Sequence, residues 1–481
     1  MKMEKEKFVD GLGDLSLTRR GFLKSLAAAG LLGGSLGSDW GGIVSLTKGE
    51  GGAVSLTREE EKMLSGEYGP GVQESMRLLV KIGDAYGAER MIPLKGAHIH
   101  GIAGMKIPLL GSLSIESELM EGATYKIPTS IHAKFLAYPK GIGIPDVIID
   151  LLTPMMDEAW EVHERMGAIP INSCQPFLKC GEEKFDHYKG EIGDHYALTD
   201  TTVVWFANSW LGIRSNQESP ETCVASGITG VTPEYGMHLT ENRYGKVLIE
   251  FEKDLDTKEF TYKDYGVLSF FAGELTGDKI PVYNGLPKDM TWSQAKYMCT
   301  PQSWFNPAPM FHIVGVTPEA PTVEEAFGGE KPEERIVIGK KEMKEWEEEV
   351  TTIHSGEEIG LVSFGCPHCS IEEISEIAGL IKGKKVADGV KLWVATNPPI
   401  RELAVSRGYV DTIEKAGGHV NPCVCGGPMP AIFVPLLGWK GMATTSATAA
   451  SMIGYGFGIP IKISLGTPKQ CIKAAITGRW D

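Results

Sequence analysis

The sequence predicts an α/β protein built from several subdomains. Three observations support this fold class: 481 residues exceed what one hydrophobic core usually organises, short apolar runs alternate with amphipathic helical patterns, and 59 glycines and 28 prolines supply many turns. The hydrophobic fraction of 42% is that of a folded chain. The net charge of -15 excludes nucleic acid from the expected partners, because phosphate binding needs clustered lysines and arginines.

Residues 1–52 are predicted to be a leader. The pair Arg19-Arg20, followed by Gly-Phe-Leu-Lys, is typical of a twin-arginine export signal. The Ala- and Gly-rich run after it is too short to form a stable membrane span. A basic amphipathic helix is the alternative. We expect a periplasmic or other extracytoplasmic location through twin-arginine export, or a cytoplasmic one if the signal is not used.

Residues 53–335 are predicted to form the main body. It begins with a helix, because Thr57 can cap a turn that opens with acidic residues. Alternating polar and apolar residues predict a strand-rich insertion at about residues 246–300. Apolar periodicity predicts the other elements of this body: a strand at residues 147–152 and helices at residues 155–166 and 201–210.

Residues 336–481 are predicted to form an α/β subdomain that carries Cys366 and Cys423. Its strands and helices alternate, as in a parallel sheet. One strand ends in Gly-Cys-Pro-His and is followed by a Ser-x-Glu-Glu helix start, so Cys366 lies at the carboxyl end of a strand, where α/β proteins bind ligands. The predicted elements are helices at residues 340–349 and 371–381 and strands at residues 359–364 and 390–395.

Three loop cysteines beside proline or glycine, Cys174, Cys366 and Cys423, are the candidate metal ligands. Nine cysteines in this length are too few for a disulfide scaffold. Three thiolates remote in sequence can hold an iron–sulfur cluster and leave one iron open as a Lewis acid. Two alternatives stay open. The thiols are buried and unreactive, or paired short spacings form a zinc site from Cys366, Cys369, Cys423 and Cys425.

Six motifs in order carry a resemblance to a known family. They are Leu56-Thr-Arg-Glu-Glu-Glu-Lys-Met-Leu with the Gly-Glu-Tyr-Gly after it, Cys174-Gln-Pro-Phe, the run from Asp200 to Glu218, His312-Ile-Val-Gly-Val-Thr-Pro-Glu-Ala, Gly365-Cys-Pro-His, and Thr445-Ser446 with the closing Cys471-Ile-Lys-Ala-Ala-Ile-Thr-Gly. From about Leu56 to Gly478 the chain resembles the large subunit, or catalytic domain, of aconitase X, the dehydratase branch of the aconitase superfamily.

The resemblance implies a multi-subdomain aconitase-like fold of three-layer α/β domains and the dehydration of a small hydroxy acid. Family substrates include mevalonate 5-phosphate and cis-3-hydroxyproline. The implied cofactor is an iron–sulfur cluster or mononuclear iron, held by Cys174, Cys366 and Cys423. We expect the swivel domain to be absent from this chain, so that a separate small subunit supplies the catalytic serine.

The remaining site residues are assigned by their chemistry and by family position. Asp200 or His368 would manage protons, and Ser446 is a further catalytic candidate. Arg214 would anchor a substrate carboxylate, with a structural pair to Glu218 as the alternative. The other substrate-binding candidates are His98, Thr201, Thr202 and Asn216, although the two threonines are also suited to cap a helix.

The chain departs from the family pattern at several positions. Asp200-Thr201-Thr202 stands where Glu-Ser-Ser is usual, and Gln217 and Thr448 stand where an arginine and a lysine are usual. Two fewer positive charges disfavour a phosphorylated substrate, because a buried anion needs compensating charge. Two competing functions are an electron-transfer or non-catalytic iron–sulfur protein and an exported solute-binding protein without metal.

Overall fold

The structure, a computed structural model, describes residues 54–100, 106–107, 111–112, 122–134, 136–177, 190–299, 301–304, 307–451, 453 and 461–481. The predicted leader, residues 1–52, lies outside the described residues. The predicted α/β fold class is confirmed. Successive regions of the chain each contain one parallel sheet, and buried residues of all three regions join in one large hydrophobic core. Among the described helices, none is both long and apolar enough to cross a membrane.

The N-terminal region is organised around a three-stranded parallel sheet in which β2 lies between β5 and β6. Thr57 caps the first helix as predicted, because its hydroxyl accepts the Glu60 N–H at 3.3 Å and its own N–H donates to Glu60 Oε2 at 2.7 Å. The elements are α1 (Arg58–Ser65), α2 (Pro70–Tyr86), β1 (Met91–Pro93), β2 (Gly96–Ile99), β3 (Lys106–Ile107), β4 (Gly111–Ser112), β5 (Thr129–Ile131), α3 (Asp146–Arg165), β6 (Tyr196–Leu198), α4 (Thr201–Phe206), α5 (Pro220–Thr229) and β7 (Val231–Pro233).

Residues 147–152, predicted as a strand, lie in helix α3. Apolar side chains continue past this run at a spacing of four residues, and Ile148, Leu152, Met156 and Trp160 are all buried. Four-residue spacing places side chains on one face of a helix. The predicted strand was therefore the first part of an amphipathic helix.

The middle region contains a four-stranded parallel sheet in the order β10-β9-β8-β11. The prediction of a strand-rich insertion at about residues 246–300 is wrong, because this segment alternates two strands with two α-helices. Asp264 Oδ2 accepts the Thr261 N–H at 2.7 Å, which starts a helix where sequence alternation suggested a strand. The elements are β8 (Val247–Phe251), α6 (Tyr262–Thr276), β9 (Pro281–Asn284), α7 (Trp292–Cys299), β10 (His312–Ile313), α8 (Val323–Ala326) and β11 (Glu334–Ile338).

The C-terminal region contains a five-stranded parallel sheet in the order β14-β13-β12-β15-β16. After β12 the chain adds strands on one side, and it later crosses to the other side for β15, so β12 and β15 flank a switch point that favours ligand binding at their carboxyl ends. The elements are α9 (Lys340–Val350), β12 (Leu361–Phe364), α10 (Ile371–Ile381), β13 (Lys391–Thr396), α11 (Pro398–Ser406), α12 (Tyr409–Lys415), β14 (His419–Pro422), α13 (Pro428–Leu436), β15 (Met442–Thr444), α14 (Ala447–Ser451), β16 (Ile463–Leu465) and α15 (Pro468–Thr477).

A buried arginine connects the N-terminal and middle regions through hydrogen bonds and an ion pair. Arg243 is 2% exposed and donates from Nη2 to Glu319 Oε2 at 2.6 Å. Its other donors reach Asn208 and the backbone carbonyls of Met237 and Ile213 at 3.1 to 3.2 Å. All of these partners are oxygen atoms, so the guanidinium is hydrogen-bonded on every side.

Arg243→Met is expected to lower the free energy of unfolding by about 3 kcal/mol, because removing one partner of a buried ion pair leaves carbonyl and carboxylate oxygens without donors. Urea unfolding followed by circular dichroism measures this loss. Arg335→Met is the control, because Arg335 is 67% exposed in its pair with Glu250 and should change stability by less than about 1 kcal/mol. Equal losses in both variants would contradict the prediction.

Candidate functional site

The loop after β12 holds Cys366 in a fixed position. Gly365 adopts a φ of 104°, and a side chain there would meet the Ala395 carbonyl oxygen at 2.3 Å, so only glycine fits. Ser370 then caps helix α10 by accepting the Glu373 N–H at 3.4 Å. The Cys366 thiol therefore lies between a rigid turn and a capped helix, at the carboxyl end of β12.

Three cysteines from distant parts of the chain converge beside this loop. A hydrogen bond joins the segments that carry Cys174 and Cys366: the His368 N–H donates to Cys174 Sγ at 3.3 Å. A Cβ built on Gly427 would lie 2.4 Å from Cys366 Sγ and 3.8 Å from Cys425 Sγ, so both sulfurs lie close to this one position. Cys174 also interacts electrostatically with Cys366 and Cys425. The structure brings Cys174, Cys366 and Cys425 together.

Burial makes these three thiols hard to ionise in the absence of a cation. It raises the pKa of Cys174 and of Cys366 well above the usual range, and that of Cys425 to about 11. Neighbouring thiols and the Asp200 carboxylate add to the shift for Cys174 and Cys366. A bound metal reverses this effect, because its positive charge stabilises the thiolates that ligate it. Such a set of soft sulfur donors suits iron–sulfur or iron ligation.

Cys423 has a different environment from the three converging thiols. Burial raises its pKa to about 11, while Lys134 and a hydrogen bond from Asn172 act in the opposite direction. The residue adopts a left-handed φ of 68°, which turns the chain between Cys423 and Cys425. The structure thus places Cys423 against Lys134 and Asn172, and Cys425 occupies the position beside Cys366 that the sequence analysis gave to Cys423.

A histidine–carboxylate wall lies at the carboxyl ends of β2, β5 and β6. His100, His132 and Asp200 each follow one of these strands, and their ligand atoms lie within 4.8 Å of one another. Such a group has the composition to hold a metal cation. Asp200 also interacts electrostatically with Cys174, so the wall adjoins the three thiols. Sequence reasoning missed His100 and His132, although each follows a short apolar strand.

Asp200 has two roles, one for each carboxylate oxygen. Oδ1 accepts the N–H groups of Thr202 and Val203 at 3.1 and 3.3 Å and so caps helix α4. Oδ2 lies 3.1 Å from His132 Nε2, while His132 Nδ1 lies 3.1 Å from the Ala133 carbonyl oxygen. Burial, the largest single influence, raises the pKa of Asp200, but the attraction of His132, its hydrogen bond and the nearby His100 and His98 together outweigh burial, and the net pKa falls to about 2.

The pKa values of His98 and His100 are both lowered to about 3, chiefly by burial and secondly by repulsion from His132. Both imidazoles are therefore neutral at pH 7. His98 is fully buried, and its Nδ1 lies 2.7 Å from Ser130 Oγ. The neighbouring rings of His100 and His132 have centroids 4.6 Å apart. His98 therefore lies behind the wall, and His100 lies on it.

His368 lies at the centre of the site and is enclosed by hydrogen bonds. Its Nδ1 lies 3.1 Å from Ser173 Oγ, and its Nε2 lies 2.7 Å from the Val424 carbonyl oxygen. A carbonyl only accepts, so Nε2 carries the proton and Nδ1 accepts from the serine. Burial lowers the pKa of this ring to about 3. The arrangement suits a positioning role better than the proton transfer that the sequence analysis assigned to His368.

Ser446 and Thr201 lie at the edges of the site. Ser446 hydrogen-bonds the Cys366 side chain, and its Oγ also accepts the Ala449 N–H at 3.0 Å. Thr201 Oγ1 accepts from Gln217 Nε2 at 3.1 Å. Thr202 is buried at the start of helix α4. Ser446 is thus close to Cys366, and the two threonines directly follow Asp200.

Arg214 and Asn216 are placed away from this wall. Arg214 pairs with His195 at the start of β6, the end of the strand opposite Asp200, and its Nη1 donates to the His238 carbonyl oxygen at 3.0 Å. Asn216 holds the backbone of Tyr235 and Met237 with bonds of 3.2 and 2.8 Å. Both side chains are thus engaged with the segment around residue 236. The position next to Asp200 is occupied by Gln217.

Comparison with known proteins gives consistent matches along the chain. Family models described as the aconitase X first, second and third domains match residues 53–241, 245–348 and 359–477. The phosphomevalonate dehydratase large subunit of Thermococcus kodakarensis is 31% identical over 84% of this chain and 96% of its own length. That of Methanocaldococcus jannaschii is 33% identical over 82% and 94%.

A relative with another substrate and one solved structure also match. The cis-3-hydroxy-L-proline dehydratase of Pseudomonas aeruginosa is 27% identical over 87% of this chain and 70% of its own length. The crystal structure of Thermococcus kodakaraensis aconitase X in its holo-form aligns with a TM-score of 0.74 at 29% identity, covering 88% of this chain and all of that one.

Proposed function

The chain belongs to the aconitase X family and is a hydro-lyase, and from this premise we propose that it dehydrates a small hydroxy acid at an iron–sulfur or iron centre. The observation that carries the proposal is the convergence of Cys174, Cys366 and Cys425 beside the Asp200–His132 pair. Three sulfur donors and an adjoining proton-bearing pair are the parts that a metal-assisted dehydration requires.

The residues present fit the proposed metal centre. Cys174, Cys366 and Cys425 would hold it, since their burial makes them poor thiolates unless a cation lies among them. When bound, such a centre supplies a Lewis acid for the hydroxyl that leaves the substrate. Ser446 supports the site by its hydrogen bond to Cys366.

Asp200 and His132 are the groups of this chain that would hold and move the proton. Both ring nitrogens of His132 face oxygen atoms, which suits a ring that carries two protons. The low pKa of Asp200 keeps its carboxylate ionised at neutral pH, so that it stabilises the protonated ring. The Nε2 proton can then pass to a leaving hydroxyl.

A small subunit is the proposed partner. The phosphomevalonate dehydratase relatives are named as large subunits, and this chain spans 94 to 96% of the length of two of them. It spans only 70% of the hydroxyproline dehydratase of Pseudomonas aeruginosa, which leaves room for an additional domain in that protein. We propose that a separate swivel subunit completes this site and supplies a catalytic serine.

The proposed substrate is a hydroxy acid without a phosphate group. Gln217 contributes a neutral amide next to Thr201, and Thr448 is a buried neutral residue. Lys296, a fully buried cation that contacts the His368 carbonyl oxygen, is already paired with Glu373. These charges suit a monoanionic acid better than a phosphorylated one. Export by the proposed twin-arginine leader would also give the enzyme access to acids outside the cytoplasm.

Anaerobic purification of the full chain, alone and with the candidate small subunit from its genomic neighbourhood, tests the proposal. We expect iron in the protein, a magnetic spectrum that hydroxy acid perturbs, and dehydration that requires both subunits. Zinc in place of iron, or full turnover by this chain alone, would contradict the metal or the partner assignment respectively. Reversible redox cycling without any response to hydroxy acids would favour electron transfer instead.

A further inference from the structure

We propose that Lys296, in helix α7 of the middle region, is a positioning residue that fixes the Cys366–His368 loop against Cys174. Its side chain is 0% exposed, and its Nζ donates to the His368 carbonyl oxygen at 2.6 Å. The same ammonium pairs with Glu373 at the start of helix α10. One side chain thus holds both ends of the turn that follows Cys366. The inference deepens the proposed function and rests on it for the metal centre.

His368 transmits this restraint to the thiols. Its backbone N–H donates to Cys174 Sγ at 3.3 Å, and its ring links Ser173, the residue before Cys174, to the Val424 carbonyl next to Cys425. The residue therefore contacts the segments that carry all three converging cysteines. Lys296 is the contact that holds the remaining backbone polar group of His368, its carbonyl oxygen.

Glu373 is itself held in place from several directions. Its Oε2 accepts the Ser370 N–H at 2.9 Å, and its Oε1 accepts from Tyr297 OH at 2.6 Å. Tyr297 OH also lies 3.3 Å from Thr445 Oγ1, and Thr445 precedes the serine that hydrogen-bonds Cys366. Helix α7 thus contacts the loops after both β12 and β15. Two neighbouring residues of that helix connect the middle region to both sides of the switch point.

The physical argument for position over stability is the cost of burying charge. A buried ion pair is often no more stabilising than apolar side chains of the same volume, whereas it accepts only a narrow geometry. A lysine that is fully buried and directed at one backbone carbonyl fixes that carbonyl. Outer hydrogen bonds of this kind orient the residues that ligate a metal. We therefore expect the loss of Lys296 to loosen the thiols before it unfolds the protein.

The test measures thiol accessibility and metal retention instead of turnover. In metal-free full-length protein, Lys296→Met should speed N-ethylmaleimide labelling of Cys174 and Cys366 by about tenfold, which corresponds to about 1.4 kcal/mol of local opening free energy. In the iron-loaded protein, release of iron to a chelator should accelerate by a similar factor. Mass spectrometry of peptides reports the two cysteines separately.

Lys263→Met is the matched control. Lys263 lies on helix α6 of the same region, is 12% exposed, and pairs with Glu347 at 2.5 Å and with Asp264 at 3.1 Å. Its loss should lower thermal stability and leave labelling and iron release unchanged. If Lys296→Met merely reproduces this control, the positioning role is wrong.

A double variant separates positioning from neutralisation of charge. Lys296→Met with Glu373→Gln removes both charges, while the glutamine carbonyl oxygen can still accept the Ser370 N–H and its amide NH2 can donate to the Tyr297 hydroxyl oxygen. Fast labelling should persist in this variant, because the His368 carbonyl still lacks its donor. Return to the wild-type labelling rate would show that Lys296 only neutralises Glu373 and would overturn the proposal. Because the labelling is done on metal-free protein, its outcome does not depend on which reaction is catalysed.

Discussion

Cys425→Ser is expected to lose its metal and at least about 100-fold in dehydratase activity, since even an outer partner of a metal ligand is worth about 10- to 100-fold. The reason is structural: Cys425 Sγ and Cys366 Sγ both lie close to Gly427, and Cys174 interacts electrostatically with both cysteines. Iron content after anaerobic purification and turnover of the reconstituted protein measure the effect. Cys174→Ser and Cys366→Ser should behave in the same way.

Cys423→Ser is the matched control, because it changes the same atom two residues away. Its thiol contacts Asn172 and lies near Lys134, so iron content should stay near the wild-type value and activity should fall by less than about fivefold, as for a change at the periphery of a site. Loss of iron in Cys423→Ser together with its retention in Cys425→Ser would restore the ligand set expected from the sequence.

Asp200→Asn is expected to reduce turnover by about 10²- to 10⁴-fold, the usual contribution of a positioned acid–base group. Asparagine is as good a helix cap as aspartate, so helix α4 should still form while the charge that holds the His132 proton is lost. Steady-state kinetics with the reconstituted protein measure the loss. Retention of near wild-type turnover would remove Asp200 from the proton-transfer step.

The same variant has a signature in the pH dependence of stability. The folded-state pKa of Asp200 is lowered to about 2 from its ordinary 3.8, so its stabilisation is fully present above the unfolded-state pKa. The difference in unfolding free energy between wild type and Asp200→Asn, about 2 kcal/mol, should be constant from pH 7 to pH 5 and disappear as pH falls towards 2. A difference that grows on acidification would contradict this sign.

Asp256→Asn is the control for both measurements. Asp256 is exposed to solvent and caps a short helical turn by accepting the Lys258 N–H at 3.0 Å. It is not one of the site residues. Its replacement keeps a capping side chain and removes one carboxylate, so neither turnover nor the acid-dependent difference should change measurably. A comparable fall in turnover would point to an effect of net charge instead of proton transfer.

Local hydrogen bonds made several elements predictable from the sequence. Helix α10 has the predicted bounds, because Ser370 and Glu373 cap it within four residues of chain. The Thr57 cap is confirmed for the same reason. The strand before Cys366 is also confirmed, although its hydrogen-bond partners are the distant strands β13 and β15. Residues 147–152 were assigned wrongly because an apolar run of that length fits either a buried strand or one turn and a half of helix.

The candidate site depended on contacts that sequence spacing does not determine. Cys423 and Cys425 carry the same ligand group two residues apart, so sequence spacing does not distinguish them as metal ligands. The left-handed backbone conformation at Cys423 decides which of the two thiols reaches Cys366. His100 and His132 become neighbours of Asp200 only because β2 lies between β5 and β6. Arg214 was a reasonable carboxylate anchor in sequence, but the parallel pairing of its segment with β6 places it at the other end of the strand.

The sequence by itself determined the α/β class, the caps of its helices and the placement of a cysteine at the end of a strand, because each depends on residues a few positions apart. Only the tertiary structure decided which thiols meet, which histidines face Asp200, and that Lys296 reaches the loop after β12 from helix α7 of the middle region. Those contacts join residues about 60 to 250 positions apart, and they are set by strand order and by the packing of three parallel sheets around one core.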